Sequence, residues 1–223
     1  MRRGLLAILP LALGVALYGF AFGILASEAG FSSEGIALMG VAVFAGASQI
    51  AAVDQFLNTG TVLGAALAGA ALNLRYIGIV ASVVPLLREL PWSTRLIALQ
   101  GATDENFALT LAARKDDPSV GGRFLLGTAL GLIIAWLTST VIGGLAGQAI
   151  PDLERFGIGF AFTAAFIAMA RALWPGKAAM APWGTAFAAT VGLVWLGVPT
   201  AGALVIGALS GVAMDFLVNP DDA

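Results

Sequence analysis

A chain of 223 residues that is 59% hydrophobic and only 11% charged is too short to hide that much apolar surface inside itself, which argues against a soluble fold. It has no Cys and no His, so disulfides, thiolate and iron–sulfur chemistry, familiar zinc sites and the usual neutral-pH proton relay are excluded. The net charge of −2 offers no basic face for nucleic acid, and any proton handling falls to Asp, Glu or water.

With a mean hydropathy of +0.94, the chain is expected to form an all-α, polytopic transmembrane helical bundle, a single integral membrane domain over 1–223. A bilayer core of about 30 Å calls for roughly 20 apolar residues per helix. By that measure spans are predicted near 5–26, 35–53, 61–87, 96–113, 124–149, 156–173, 178–197 and 200–218. About seven or eight of these are expected to cross. The run at 5–26 follows Met1-Arg2-Arg3 but exceeds the roughly 7–15 residues of a signal-peptide core, and Ser27-Glu28-Ala29 is a poor cleavage site. It reads as a first transmembrane helix.

Two segments are less regular. Residues 35–53 end in Ser48-Gln49 and are followed by Asp54, while 96–113 carries Gln100, Thr103, Asp104, Glu105 and Asn106. Either suits a broken or re-entrant helix, because irregular backbone at membrane depth survives only where protein or water covers it. Basic residues mark three ends: Arg2-Arg3, the hydrophilic stretch from Arg114 to Arg123, and Arg171 with Lys177. Eight crossings from a cytoplasmic N-terminus put all three on one side, as the positive-inside rule requires. The same arrangement puts Arg88 to Arg95 outside, against that rule.

Glycine pairs four apart (Gly19/Gly23, Gly60/Gly64, Gly127/Gly131, Gly143/Gly147 and Gly207/Gly211) predict close helix–helix approach, the main source of association in lipid. Gly19-Phe20-Ala21-Phe22 recurs as Gly159-Phe160-Ala161-Phe162. Repeat halves at 5–87 and 156–218, linked by 88–155, would then be inverted, a common plan for secondary transporters with a mid-membrane site.

Polar residues inside apolar spans cost several kcal/mol unless paired or hydrated, so they are the functional candidates. Phe44-Ala45-Gly46-Ala47-Ser48-Gln49 can loosen a helix and expose backbone groups. Ser48 and Gln49 either face a cavity or hydrogen-bond a neighbouring helix. Asn73-Leu74-Arg75-Tyr76 lies in the middle of an apolar run. Asn73 and Arg75, about 200° apart on a regular helix, share a cavity only if the helix is interrupted or enclosed on both sides. Arg75 is too deep to snorkel and suits a carboxylate, either on a substrate or on Asp104, Glu105 or Asp215. In Thr103-Asp104-Glu105-Asn106-Phe107 one carboxylate can face a cavity while the other meets Arg75, unless the segment lies outside the membrane and these are surface acids. Burial, a like charge and a nearby Arg pull on such a carboxylate in opposite directions, so one of the pair is a candidate for proton exchange. The substrate-binding candidates are Gly46, Ser48, Gln49, Asn73 and Arg75, and the proton-coupling candidates are Asp104 and Glu105. No enzyme signature, metal site or cofactor motif accompanies them; Gly176-Lys177-Ala178 lacks the rest of a phosphate loop.

In their order and spacing these three motifs resemble the AzlC family, the large subunits of bacterial branched-chain amino acid exporters, and the resemblance extends over nearly the whole chain. It implies a multi-pass protein of the bacterial inner membrane that exports valine, leucine and isoleucine, extending to methionine, by proton-coupled secondary transport. It also implies a separately encoded, small hydrophobic subunit of the AzlD type. Tyr76 departs from the family, many of whose members carry His there, so no titrating role near neutral pH is expected of it. A channel or pore for small solutes and a non-transporting scaffold subunit are the competing classes. Counterflow separates a carrier from a pore.

Overall fold

The computed structural model describes residues 1–149, 167, 170, 171, 174 and 176–219. Its described residues are helical: α1 (Arg2–Ala7), α2 (Leu9–Glu28), α3 (Ser33–Val43), α4 (Gly46–Thr59), α5 (Val62–Asn73), α6 (Arg75–Val83), α7 (Trp92–Gln100), α8 (Asp104–Asp116), α9 (Gly122–Ala149), α10 (Met180–Trp195) and α11 (Thr200–Val218). Short 3-10 turns extend α6 through Leu87 and precede α10 from Lys177. The second Gly-Phe-Ala-Phe copy, at 159–162, and most of the span expected at 156–173 lie outside the described residues.

The helical class is as expected among the described residues. Among the described residues, three helices are long and apolar enough to cross a membrane: Leu9–Glu28, Gly122–Ala149 and Lys177–Trp195. A fourth crossing is available if α5 and α6, bent by 42° at Leu74, act as one span. Residues 35–53 and 96–113 each break into two short helices and so are not continuous crossings, and most of the span expected at 156–173 lies outside the described residues.

The path of the chain follows from its contacts. Gly4 and Gly127 lie against Phe124 and Met1, while Gly147 lies against Ser27, so α2 and α9 run side by side in the same direction. Ser33 accepts a hydrogen bond from Gln148 at the far end of α9 (3.3 Å), and Gly40 packs on Leu137 and Trp136. Helix α3 thus descends from the far end to mid-helix level. Helices α4 and α5 form a tight antiparallel pair, with Ser48 and Ala52 beside Gly69 and Gln55 beside Gly64. Helix α6 continues α5 past its kink to the N-terminal end, where Leu86 and Leu90 meet Gly122. Since α5 descends, α4 rises, and α3–α4 is a re-entrant hairpin from the far end.

Helices α7 and α8 form the opposite hairpin. Leu90 and Glu89 lie beside Gly122 and Gly121, Gly101 reaches Ala129 and Ile133, and the chain then returns to Asp117, which pairs with Arg3. This corrects the sequence-based placement of the segment from Arg88 to Arg95. Met1, Arg3 and Glu89 line one crevice with Ser119 to Phe124, so that segment sits at the same end as the N-terminus. A re-entrant hairpin returns to its side of origin, and counting 35–53 as a full crossing had inverted the loop after it.

Close backbone approach makes the α2–α9 contact. A Cβ on Gly23 would stand 2.1 Å from the Thr140 carbonyl oxygen, and one on Gly143 would stand 2.0 Å from that of Phe20. Gly127, Gly131, Gly207 and Gly211 also meet neighbouring helices, the last two against α10. Gly60 and Gly64 instead serve the α4–α5 turn, Gly60 with a positive φ of 67°.

Candidate functional site

The tips of the two hairpins and the α5–α6 kink come to one level, against Tyr18 of α2 and Trp136 of α9. Each interruption has a local cause. Helix α3 ends on Phe44, whose φ of 38° and ψ of 49° are left-handed, a conformation that costs a non-glycine residue energy. Helix α4 then starts at Gly46, where a Cβ would stand 2.6 Å from the Tyr18 ring and 2.8 Å from the Trp136 ring. Only glycine lets the backbone pass there. Tyr18 and Phe22 pack on Trp136 with ring centroids 5.7 and 5.6 Å away, which fixes that wall.

The α7–α8 tip is held by side-chain hydrogen bonds. The buried Asn106 amide donates to the Gly101 carbonyl (2.6 Å), and its carbonyl accepts from the Thr103 amide N–H (2.9 Å), tying both sides of the turn. The Thr110 hydroxyl donates to the Asn106 backbone carbonyl at 2.6 Å. The bond from the Thr103 N–H to the Asn106 side chain is an arm of a capping box, which satisfies the helix end from within. The two tips also touch: the Gln100 amide donates to the carbonyls of Val41 (3.0 Å) and Ala42 (3.4 Å), in the last turn of α3.

Between the tips lies a cavity of about 70 Å³. Its polar wall is Arg75, Tyr76, Thr103, Asp104 and Glu105, and its aromatic side is Tyr18, Phe44 and Trp136. Arg75 Nη1 is 2.9 Å from Asp104 Oδ2, and the two side chains remain 39% and 28% exposed. The pair is therefore reachable from the cavity. The Arg75 guanidinium also stands 5.3 Å from the Tyr76 ring centroid, within cation–π range. Gly46 and Ala47, in a first turn of α4 that no side chain caps, complete the opposite wall. Uncapped N–H groups and the positive end of a helix favour an anion.

The predicted residues divide into two layers. Gly46, Arg75, Asp104 and Glu105 line the cavity. Ser48 and Asn73 stand behind it, joined by a 2.5 Å hydrogen bond from the Ser48 hydroxyl to Asn73 Oδ1 that fastens α4 to α5. Gln49 is fully buried, and its side-chain amide has no hydrogen-bond partner among the described residues. The helix interruption expected between Asn73 and Arg75 is present at Leu74, and the two side chains go to different partners. Sequence reasoning did not single out Tyr18 and Trp136. A usable signal existed, since such aromatics usually sit at membrane interfaces and these two lie mid-helix.

Comparison with known proteins agrees with this picture of a membrane protein. The family model described as AzlC protein matches residues 10–150. An uncharacterized membrane protein of Archaeoglobus fulgidus is 34% identical over 149 residues, which cover 67% of this chain and 64% of that protein. The chain thus spans less than two thirds of that relative's length. Inner membrane protein YgaZ of Escherichia coli is 26% identical over 222 residues, covering 96% of this chain and 90% of its own length. An uncharacterized membrane protein of Helicobacter pylori is 26% identical over 158 residues, or 70% of this chain and 68% of the relative. No solved structure matches the chain.

Proposed function

The chain belongs to the AzlC family of membrane proteins, and on that premise we propose that it exports branched-chain amino acids as a proton-coupled secondary transporter, together with a small AzlD-type subunit. The observation that carries this reading is the Arg75–Asp104 pair, reachable from a cavity between two hairpins that enter from opposite ends. A carrier must open one central site to each side in turn, and discontinuous helices around a mid-membrane site are how many secondary transporters do so. In this reading α3–α4 controls access from the far end and α7–α8 from the N-terminal end.

A zwitterionic amino acid brings one charge for each half of the site. Its carboxylate takes the Arg75 guanidinium and the uncapped first turn of α4, and its ammonium takes Asp104 or Glu105. Substrate entry displaces Asp104 from Arg75, and the freed carboxylate holds either the ammonium or a proton. Binding of substrate and of proton are linked in this way without a histidine. The end bearing Arg2, Arg3, Arg88, Arg95, Lys115 and Arg123 faces the cytoplasm of an inner membrane, following the positive-inside rule.

The test is counterflow of labelled valine in proteoliposomes, with and without the small subunit and a proton gradient. Wild type should exchange label against internal unlabelled valine, and Arg75→Gln should abolish exchange while eluting as a folded protein. Full exchange by Arg75→Gln overturns the role given to Arg75. Flux without trans-stimulation would identify a pore, and unchanged cellular valine export after deletion would identify a scaffold.

A further inference from the structure

A second and larger space adjoins the polar cavity. It is a crevice of about 420 Å³ between α3, α7 and α9, walled by Val41, Leu96, Ile97, Ile133 and Leu137. Its polar member, Gln100, directs its amide nitrogen to the Val41 and Ala42 carbonyls. Phe44 belongs to both spaces and is the partition between them. It is buried, at 6% exposure, and is the described non-glycine residue with a positive φ. Strained backbone of this kind persists where the surroundings over-determine it, and it concentrates at binding sites and switches.

Size separates the two spaces by role. Small-molecule sites usually enclose roughly 300–1,000 Å³, a range that the crevice meets and the central cavity does not. The cavity suits a charged head group; the crevice suits a compact apolar group attached to it. We propose that the crevice receives the aliphatic side chain of the transported amino acid and that Phe44 is the partition whose displacement joins the two spaces. The proposal rests on the amino acid transport reading above and adds the part of the site that selects the side chain. Half-exposed Leu96 and Ile97 leave the mouth of the crevice open at the protein surface. Continuity with the polar cavity through Phe44 favours substrate there over an acyl chain or a partner helix.

Each methylene buried from water is worth roughly a fourfold change in affinity, so two added carbons give valine about a fifteenfold advantage over alanine. The test is the same counterflow assay with the full chain and its small subunit, competed by unlabelled alanine, valine and leucine. Ile97→Trp fills the crevice from a half-exposed position and should cut valine's advantage over alanine to within about twofold, with alanine exchange retained. Ile133→Ala, a second variant, enlarges the crevice and should raise leucine relative to valine. An unchanged order of preference in both variants overturns the proposal. So does an equal loss for all three amino acids, or altered retention of lipid or of the small subunit with no change in preference. Absence of exchange by wild type with any amino acid overturns the transport reading, and the subsite with it.

Discussion

The α7–α8 hairpin turns on Gly101, Ala102 and Thr103 with Asn106 tying both sides of the turn. The α3–α4 hairpin turns on Phe44 and Ala45, with a left-handed phenylalanine and no side chain capping the next helix. Both tips meet the same cavity and face the same shortage of water. The first satisfies its helix end internally and offers carboxylates to the site. The second leaves its first N–H groups without a side-chain cap and depends for its position on Tyr18, Trp136 and the amide of Gln100. The difference separates a tip held by its own side chains from one held by its neighbours. In the proposed transport reading, the ammonium side is then built from side chains and the carboxylate side partly from backbone.

Removing the internal support of the α7–α8 tip should have the largest effect on stability. Asn106→Ala leaves the Thr103 N–H and the Gly101 carbonyl buried without partners, at a cost of about 2–4 kcal/mol. Ser48→Ala, on the other hairpin, removes one interhelical hydrogen bond to Asn73 and should cost about 1 kcal/mol, in line with such bonds inside membranes. Thermal unfolding of the purified variants in one detergent ranks the two. A Ser48→Ala loss equal to that of Asn106→Ala would remove the distinction between the tips.

The strained turn supplies a smaller and more specific effect. Both Phe44→Ala and Phe44→Gly lose the buried ring, so their difference isolates the backbone. Alanine normally outranks glycine in regular structure, yet at a φ of 38° glycine should be the more stable by about 1 kcal/mol. The same unfolding measurement decides it. Alanine equal to or above glycine would mean that this turn relaxes freely and stores no strain.

Much of this contrast was legible in the sequence, for a physical reason. Ser48-Gln49 and Asp104-Glu105 are too polar for a lipid-facing helix, so 35–53 and 96–113 stood out as broken or re-entrant, and Arg75 needed a carboxylate that Asp104 supplies. The connection of the hairpins was not legible. Composition does not distinguish a crossing from a descent and return of similar length, so the side of Arg88 to Arg95 came out inverted. The segment from Arg114 to Arg123 still fell beside the N-terminus, because two hairpins counted as crossings cancel. Tyr18 and Trp136 were hidden for another reason: an aromatic lining a cavity and one facing lipid look alike until the opposing backbone, Gly46, is in place.

The bases of the hairpins differ as their tips do, and here the expected effect is smallest. The α3–α4 hairpin is joined to α9 by a neutral hydrogen bond from Gln148 to Ser33, whereas α7–α8 is joined to the N-terminus by Arg3 and Asp117. Hydrogen bonds from Ser119, and then the Arg3 guanidinium, hold the Asp117 carboxyl down to about 2. Its value in an unfolded chain is about 3.9, so the folded state binds fewer protons between those limits. The stabilisation is complete above the unfolded value and is lost as pH falls through the folded one. The midpoint difference between wild type and Asp117→Asn should therefore stay constant from neutral pH to about pH 4 and shrink toward pH 2. The difference produced by Ser33→Ala should stay flat over the same range. Asp117 is at the surface, so salt should screen its contribution and leave that of Ser33 unchanged. A pH-independent Asp117 difference would mean that the Arg3 contact does not hold the base of this hairpin, and the two bases would then be equivalent.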